Sequence, residues 1–140
     1  MKGNREYKSD VFSMLMEEKE NALEVYNAVN NTHYTDPELV EMKTLDNHGF
    51  SLSVRNDAAF MIDASLSIYE HQSTICPNMP IRGLVYYTII VQDIIKGKNV
   101  YGSKKIPLPR PNFIIFYNAE ASSPEYQEVN LSDLYMKTNN

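Results

Sequence analysis

Asp57, Glu70 and Gln72 are the residues whose types and spacing offer chemistry. Two converging carboxylates bind a hard divalent cation such as Mg²⁺, or Mn²⁺ in its place, because such ions take oxygen ligands and keep some waters. A bound cation lowers the pKa of a water and stabilises charge on a phosphoryl oxygen. In an extended chain the side chain two residues after Glu70 points the same way as Glu70. Gln72 can therefore orient an attacking water or hydrogen-bond a phosphate, although it brings no positive charge. The plain alternative is that Glu-x-Gln is short enough to occur by chance. An Asp at a strand start is also ordinary turn chemistry.

These residues need an element that brings them together, and the stretch from Asp57 to Gln72 supplies one. It reads as a β-hairpin with arms 57–63 and 66–72 and a tip at Ala64-Ser65. Alternation puts Leu66, Ile68, Glu70 and Gln72 on one face, with Tyr69 and His71 on the other. With an even-numbered loop centred on Ala64-Ser65, Asp63 faces Leu66, Met61 faces Ile68 and Ala59 faces Glu70. Asp57 then lies opposite Gln72 and diagonal to Glu70, within reach on one face. Ala-Ser is not a preferred two-residue turn pair, and an odd-numbered loop would separate the two acids.

Around the hairpin the chain reads helix, strands, hairpin, helix, strand. Apolar residues from Val11 to Val29 recur at helical spacing, so a helix is expected from Asn4 or Ser9 to Asn30. Glu17 to Glu20 form its solvated face. Thr35-Asp36-Pro37-Glu38 is a turn or a one-turn helix start. Residues 40–45 can be extended, and Phe50, Leu52 and Val54 alternate with polar residues as in a strand. A second helix opens at Asn78 or Pro80 and closes at Gly97. Its apolar residues run most of the way round, which predicts packing on more than one side. Phe113-Ile-Ile-Phe116 fits a strand buried on both faces. From about 119 to 140 the chain turns polar and acidic, with a short strand or helix start between Val129 and Met136.

Cations fall in two places. Arg82 and Tyr86 lie four apart early in the second helix, close in sequence to the Glu70 end of the hairpin. Arg82 could hold a phosphate in the bidentate way a guanidinium allows, or form a structural ion pair with a carboxylate at the core edge. Lys96, Lys98, Lys104, Lys105 and Arg110 fall within a stretch that contains no acid and is marked as a loop by Gly97, Gly102, Pro107 and Pro109. Phosphate-backbone contact is one reading and a solvated loop is the other. Glu6 and Asp10 are four apart near the start of the first helix, where acids are favoured in any case.

Length and composition bound the rest. The chain has 140 residues, enough for one domain with a proper core. Its 43% hydrophobic and 22% charged content is that of a globular chain. No apolar run is long enough to span a membrane, and no secretory signal is evident, so a cytoplasmic location is expected. Cys76 is the single cysteine and has no disulfide partner within the chain. His33, His48 and His71 are scattered without zinc spacing. A formal net charge of −5 counts against a generic DNA binder, though local distribution matters more than the sum.

The strings Tyr69-Glu-His-Gln-Ser73, Pro77-Asn-Met-Pro80 and Arg82-x-x-x-Tyr86 resemble the recombination-promoting nuclease (Rpn) family, also described as transposases, within the PD-(D/E)XK nuclease superfamily. Arg5 to Phe12, Asn56 to Phe60 and Pro111 to Asn118 extend the resemblance over nearly the whole chain. It implies a single α/β domain with an αβββαβ core, in which a mixed sheet is flanked by helices. It implies a Mg²⁺- or Mn²⁺-dependent DNA endonuclease acting in transposition or recombination. On that resemblance Asp57 and Glu70 would be the metal-binding acids, with the His71 carbonyl as a third ligand. Gln72 would orient water where the superfamily usually carries Lys. Arg82 and the 96–110 loop would contact DNA, and Glu6, Asp10 or Tyr86 would be accessory. The family's members run on into a further C-terminal region, so the chain is expected to be C-terminally short. DNA is the expected partner, no membrane is, and a homodimer stays open. Two competing classes remain: a nuclease-fold remnant that binds DNA or protein without turnover, and a protein-binding module using the tyrosine-rich surface.

Overall fold

The period-two pattern between 57 and 72 folds as a hairpin, and helices pack on both of its faces. The computed structural model describes residues 11–43, 57–72, 76–118 and 124–139. The expected strand at 50–55 and the acids Glu6 and Asp10 lie outside the described residues.

The helical residues 11–16 form α1, and Lys19–Asn30 form α2. One continuous helix was expected here, and the chain instead breaks at Glu17 and Glu18. Glu18 is extended, at φ −85° and ψ 125°. The Asn21 side chain bridges the break by donating to the Leu15 carbonyl at 2.9 Å. It shares that carbonyl with the Glu18 N–H, which donates to it at 3.3 Å. The α2 helix stops at Asn31, which adopts the left-handed conformation that Asn tolerates (φ 52°, ψ 47°). Asn27 then organises the loop that follows. Its amide donates to the Tyr34 carbonyl at 2.8 Å, and its Oδ1 accepts from the Tyr34 backbone N–H at 3.0 Å.

A short 3₁₀ turn at Pro37–Leu39 follows, capped by the Asp36 side chain, and leads into β1, Glu41–Lys43. The hairpin arms are β2, Asp57–Ile62, and β3, Ser65–Gln72. After α3, Met79–Ile95, the chain returns as β4, Arg110–Tyr117. The four-stranded sheet has the order β1-β2-β3-β4. The first two pairings are antiparallel and the β3–β4 pairing is parallel, so the sheet is mixed. Parallel strands need a crossover, and α3 supplies it.

The hairpin tip corrects one expectation. The turn is Asp63-Ala64, not Ala64-Ser65, and Ile62 pairs with Ser65. Asp63 takes φ 53°, a conformation that Asp accepts more readily than most residues. The loop stays even-numbered, so the face assignments of the arms survive. The partners change: Met61 faces Leu66, Ala59 faces Ile68, and Asp57 faces Glu70 instead of Gln72. Tyr34 ties the tip to the loop after α2, its hydroxyl donating to Asp63 Oδ2 at 2.7 Å.

Each face of the sheet carries its own core. Ala58, Phe60, Ile62 and Tyr69 pack with Met16, Ala22, Leu23 and Tyr26 of the first two helices. Ala59, Leu66 and Ile68 pack with Tyr86, Ile89 and Ile90 of α3. The molecule is thus mixed α/β, with helices on both faces of a mixed sheet. Gly83 is where α3 comes closest: a Cβ there would meet Phe113 Cδ1 at 2.4 Å. Two burial expectations fail. The α3 helix is covered on one side only, for Ile81 and Leu84 are 43% and 50% exposed. Phe113 to Phe116 contribute to both cores but are only half-buried, because β4 is the last strand of the described sheet. The 124–139 segment is largely exposed, with a 3₁₀ turn at Leu131–Leu134. No described helix is long and apolar enough to cross a membrane.

Candidate functional site

Alternation along β3 decides where Glu70 points. Leu66 and Ile68 lie on the α3 face, and Glu70 and Gln72 continue that row. Glu70 is fully buried, at 0% exposure. A carboxylate at that depth needs a partner, because desolvation of an isolated charge is costly. Arg82, in the first turn of α3, places Nη2 at 2.5 Å from Glu70 Oε1. The same Glu70 oxygen accepts from Gln72 Nε2. Arg82 in turn donates to the Tyr86 hydroxyl, from Nη2 at 2.9 Å and from Nε at 3.3 Å. Tyr86 is itself fully buried, so the guanidinium is held from below by a fixed phenol. Met79 completes the seat, with its sulfur 3.7 Å from Arg82 Nη1.

Across the ladder, Asp57 is the residue directly opposite Glu70. Opposed positions of an antiparallel pair share a face, with Cβ atoms about 5 Å apart. The register thus sets the two positions directly opposite, not diagonal as expected from the sequence. His71 lies one step along β3, so its side chain belongs to the opposite face. Its ring centroid is 5.9 Å from that of Phe12. The ligand expected at this position is the backbone carbonyl, not this ring. Among the described residues no group of three or more His, Cys, Asp or Glu side chains is placed to hold a metal. The Asp57 side chain, Glu6 and Asp10 lie outside that set.

The expected residues therefore fall into two groups. Asp57, Glu70, Gln72, Arg82 and Tyr86 gather at one end of β3. For Arg82, the alternative of an ion pair with a core-edge carboxylate is the contact the structure holds. Lys96, Lys98, Lys104, Lys105 and Arg110 are all exposed and lie elsewhere. Arg110 pairs with Ser65 at the hairpin-tip end of β3, and its N–H donates to the Ala64 carbonyl at 2.8 Å. Five residues of strand separate Ser65 from Glu70, about 17 Å. The α3 helix rises about 20 Å between Arg82 and the loop. The basic loop and the buried acid thus occupy opposite ends of the sheet.

Two positioning residues were not singled out from the sequence. Met79 sits under Arg82, and Gly83 sets the distance between α3 and β4. A glycine in mid-helix was a signal for the second, since it weakens a helix unless something must come close. No protein-family model, no curated protein and no solved structure matches the chain.

Proposed function

We propose that the chain is a metal-dependent DNA endonuclease of the PD-(D/E)XK type, with Asp57 and Glu70 as its acids. The observation that carries the reading is the register: Asp57 stands directly opposite Glu70, and Gln72 follows two residues on. The element order supports it too. Helix, three antiparallel strands, helix and a parallel fourth strand is the αβββαβ arrangement expected of that superfamily.

The donor chemistry fits Mg²⁺. Carboxylate oxygens from Asp57 and Glu70, with the His71 carbonyl, are the hard ligands that such an ion takes. When bound, the ion would supply Lewis-acid stabilisation of a phosphoryl oxygen. The protein's own groups have separable tasks. Arg82 compensates the buried charge of Glu70 and fixes that carboxylate against β3. Gln72, already donating to Glu70 Oε1, orients water beside it. Direct base-edge readout is not expected, so sequence preference should be low. A role in transposition or recombination follows only from the family resemblance.

A second reading draws on the same ion pair. Glu70 Oε1 is engaged by both Arg82 and Gln72, so the chain's own donors already satisfy it. A nuclease fold retained for binding, without turnover, would look like this.

Nicking of supercoiled plasmid with Mg²⁺ or Mn²⁺ separates the two. The nuclease reading expects nicking that disappears with EDTA, with Glu70→Gln and with Asp57→Asn, each variant retaining its circular dichroism. Calorimetric Mn²⁺ binding that both variants abolish, without any nicking, establishes the idle site. Nicking that survives Glu70→Gln rejects the assignment outright.

A further inference from the structure

The loop between α3 and β4 is built to present one aromatic ring among cations. Tyr101 is 96% exposed. Its N–H donates to Asn99 Oδ1 at 3.0 Å, and the Gly102 N–H donates to the Asn99 carbonyl at 3.2 Å. These two bonds turn the chain around Tyr101 and set it at the apex. Both ends of the loop are pinned. The Lys98 N–H donates to the Ile95 carbonyl at 2.9 Å, and the Tyr87 hydroxyl donates to the carbonyl of buried Pro109 at 2.8 Å. Lys96, Lys98, Lys104, Lys105 and Arg110 flank Tyr101 in sequence, exposed and without an acid between them, in a chain of net charge −5. A local concentration of positive charge on an acidic molecule directs a polyanion to that one end.

We propose that this loop binds single-stranded nucleic acid, with Tyr101 stacking on a base and the flanking cations holding the phosphate backbone. A ring standing almost wholly in water is unfavourable on its own and gains when it covers the face of a base. Stacking needs an unpaired base, because a duplex offers the loop only its backbone. The surface lies at the hairpin-tip end of the sheet, so it works without the Glu70 centre and without metal. The choice of nucleic acid as the polyanion rests on the nuclease reading; the separation of the two sites does not. For a membrane surface the loop lacks the amphipathic helix that such binding uses.

Fluorescence anisotropy of a labelled oligo-dT about a dozen nucleotides long, titrated in EDTA at low salt, tests this. The wild-type chain should bind without metal. Tyr101→Ala should weaken binding about 5- to 100-fold, and Tyr101→Phe should restore it to within about twofold. Lys104→Ser with Lys105→Ser should weaken binding and flatten the salt slope by about 1.4. No binding by the wild-type chain would overturn the proposal. So would Tyr101→Ala binding as well as wild type, or a preference for duplex DNA or for phosphatidylserine vesicles. The two proposals fail separately. Absent nicking with intact oligonucleotide binding leaves this surface standing, and intact nicking with no EDTA-stable binding removes it alone.

Discussion

Arg82 Nη2 lies 2.5 Å from Glu70 Oε1 and joins the first turn of α3 to the end of β3. One partner is fully buried and the other is 24% exposed, so solvent screens the pair little from the Glu70 side. A buried pair adds less than its contact suggests, because both charges were desolvated to make it. Removing one partner is a different matter, since it strands the other.

Arg82→Met should therefore destabilise the fold by about 3 kcal/mol, at the low end for a broken buried pair because Arg82 keeps some exposure. Glu70→Gln in the Arg82→Met background removes the stranded charge and should return at least half of that loss. Urea unfolding of the four proteins in the cycle checks it. A loss below about 1 kcal/mol for Arg82→Met would falsify the claim that Arg82 is what compensates buried Glu70.

Gly83→Ala tests the seat of α3 on β4. Helix propensity alone favours Ala by up to about 1 kcal/mol. The added Cβ would meet the Phe113 ring at 2.4 Å, however, and overpacking of that kind costs about 1–3 kcal/mol. The clash should win, lowering the urea midpoint. Phe113→Leu should make the same Gly83→Ala change nearly neutral. If Gly83→Ala stabilises the wild-type chain, α3 is not held as close to β4 as the packing requires.

The parts legible in the sequence were those set by local pattern. Both hairpin arms follow from alternation, and the α3 limits follow from Asn78, Pro80 and Gly97. The tip was misplaced by one residue because the preference of Asp63 for positive φ was not weighed against Ala64-Ser65. The break after α1 was hidden among Glu17, Glu18, Lys19 and Glu20, all adequate helix formers. What holds it is a side-chain contact from Asn21 to Leu15. Composition cannot tell which face of an apolar helix is covered, and Ile81 and Leu84 lie on the exposed one. For Arg82 the sequence left two anions in balance, a phosphate and a carboxylate. A tertiary contact across elements decides between them, and no spacing rule reports it. The distance between the basic loop and Glu70 was likewise invisible until the strand register was known.

Alkaline pH should destabilise the chain through two tyrosines. Burial pushes the Tyr69 hydroxyl above its usual 10.0, partly offset by Ser67 and Asn30 nearby. The hydrogen bond to Asp63, and the negative charge of that residue, push Tyr34 up as well. A group with a raised folded pKa holds its proton more tightly when folded. Its contribution is therefore complete below the unfolded value of about 10 and is lost as pH rises through the folded one. Stability should stay flat with respect to these groups up to pH ~9 and fall above pH ~10. In a spectrophotometric titration, Tyr69→Phe and Tyr34→Phe should each remove a late-titrating tyrosine. If both variants leave the late part of the curve unchanged, neither residue is held neutral by its surroundings.

Gln72 is the position that separates a structural donor from a group acting on water. Its amide donates to Glu70 Oε1, the oxygen that Arg82 also takes. As a structural donor alone, its removal by Gln72→Ala should lower stability by about 1.5–3 kcal/mol, the range for a hydrogen bond to a charged acceptor. Nicking would then fall no further than the folded fraction does. As the residue that orients water in the proposed nuclease, its loss should slow nicking by about 100-fold or more at full folding. Gln72→Lys sharpens the contrast. It sets a second cation against an oxygen that already carries Arg82, and it introduces the residue type that the proposed resemblance to PD-(D/E)XK nucleases would put at this place. Retained or faster nicking by Gln72→Lys, together with loss in Gln72→Ala, assigns the position to catalysis. Equal stability losses in both variants, with nicking per folded molecule unchanged, assign it to holding Glu70.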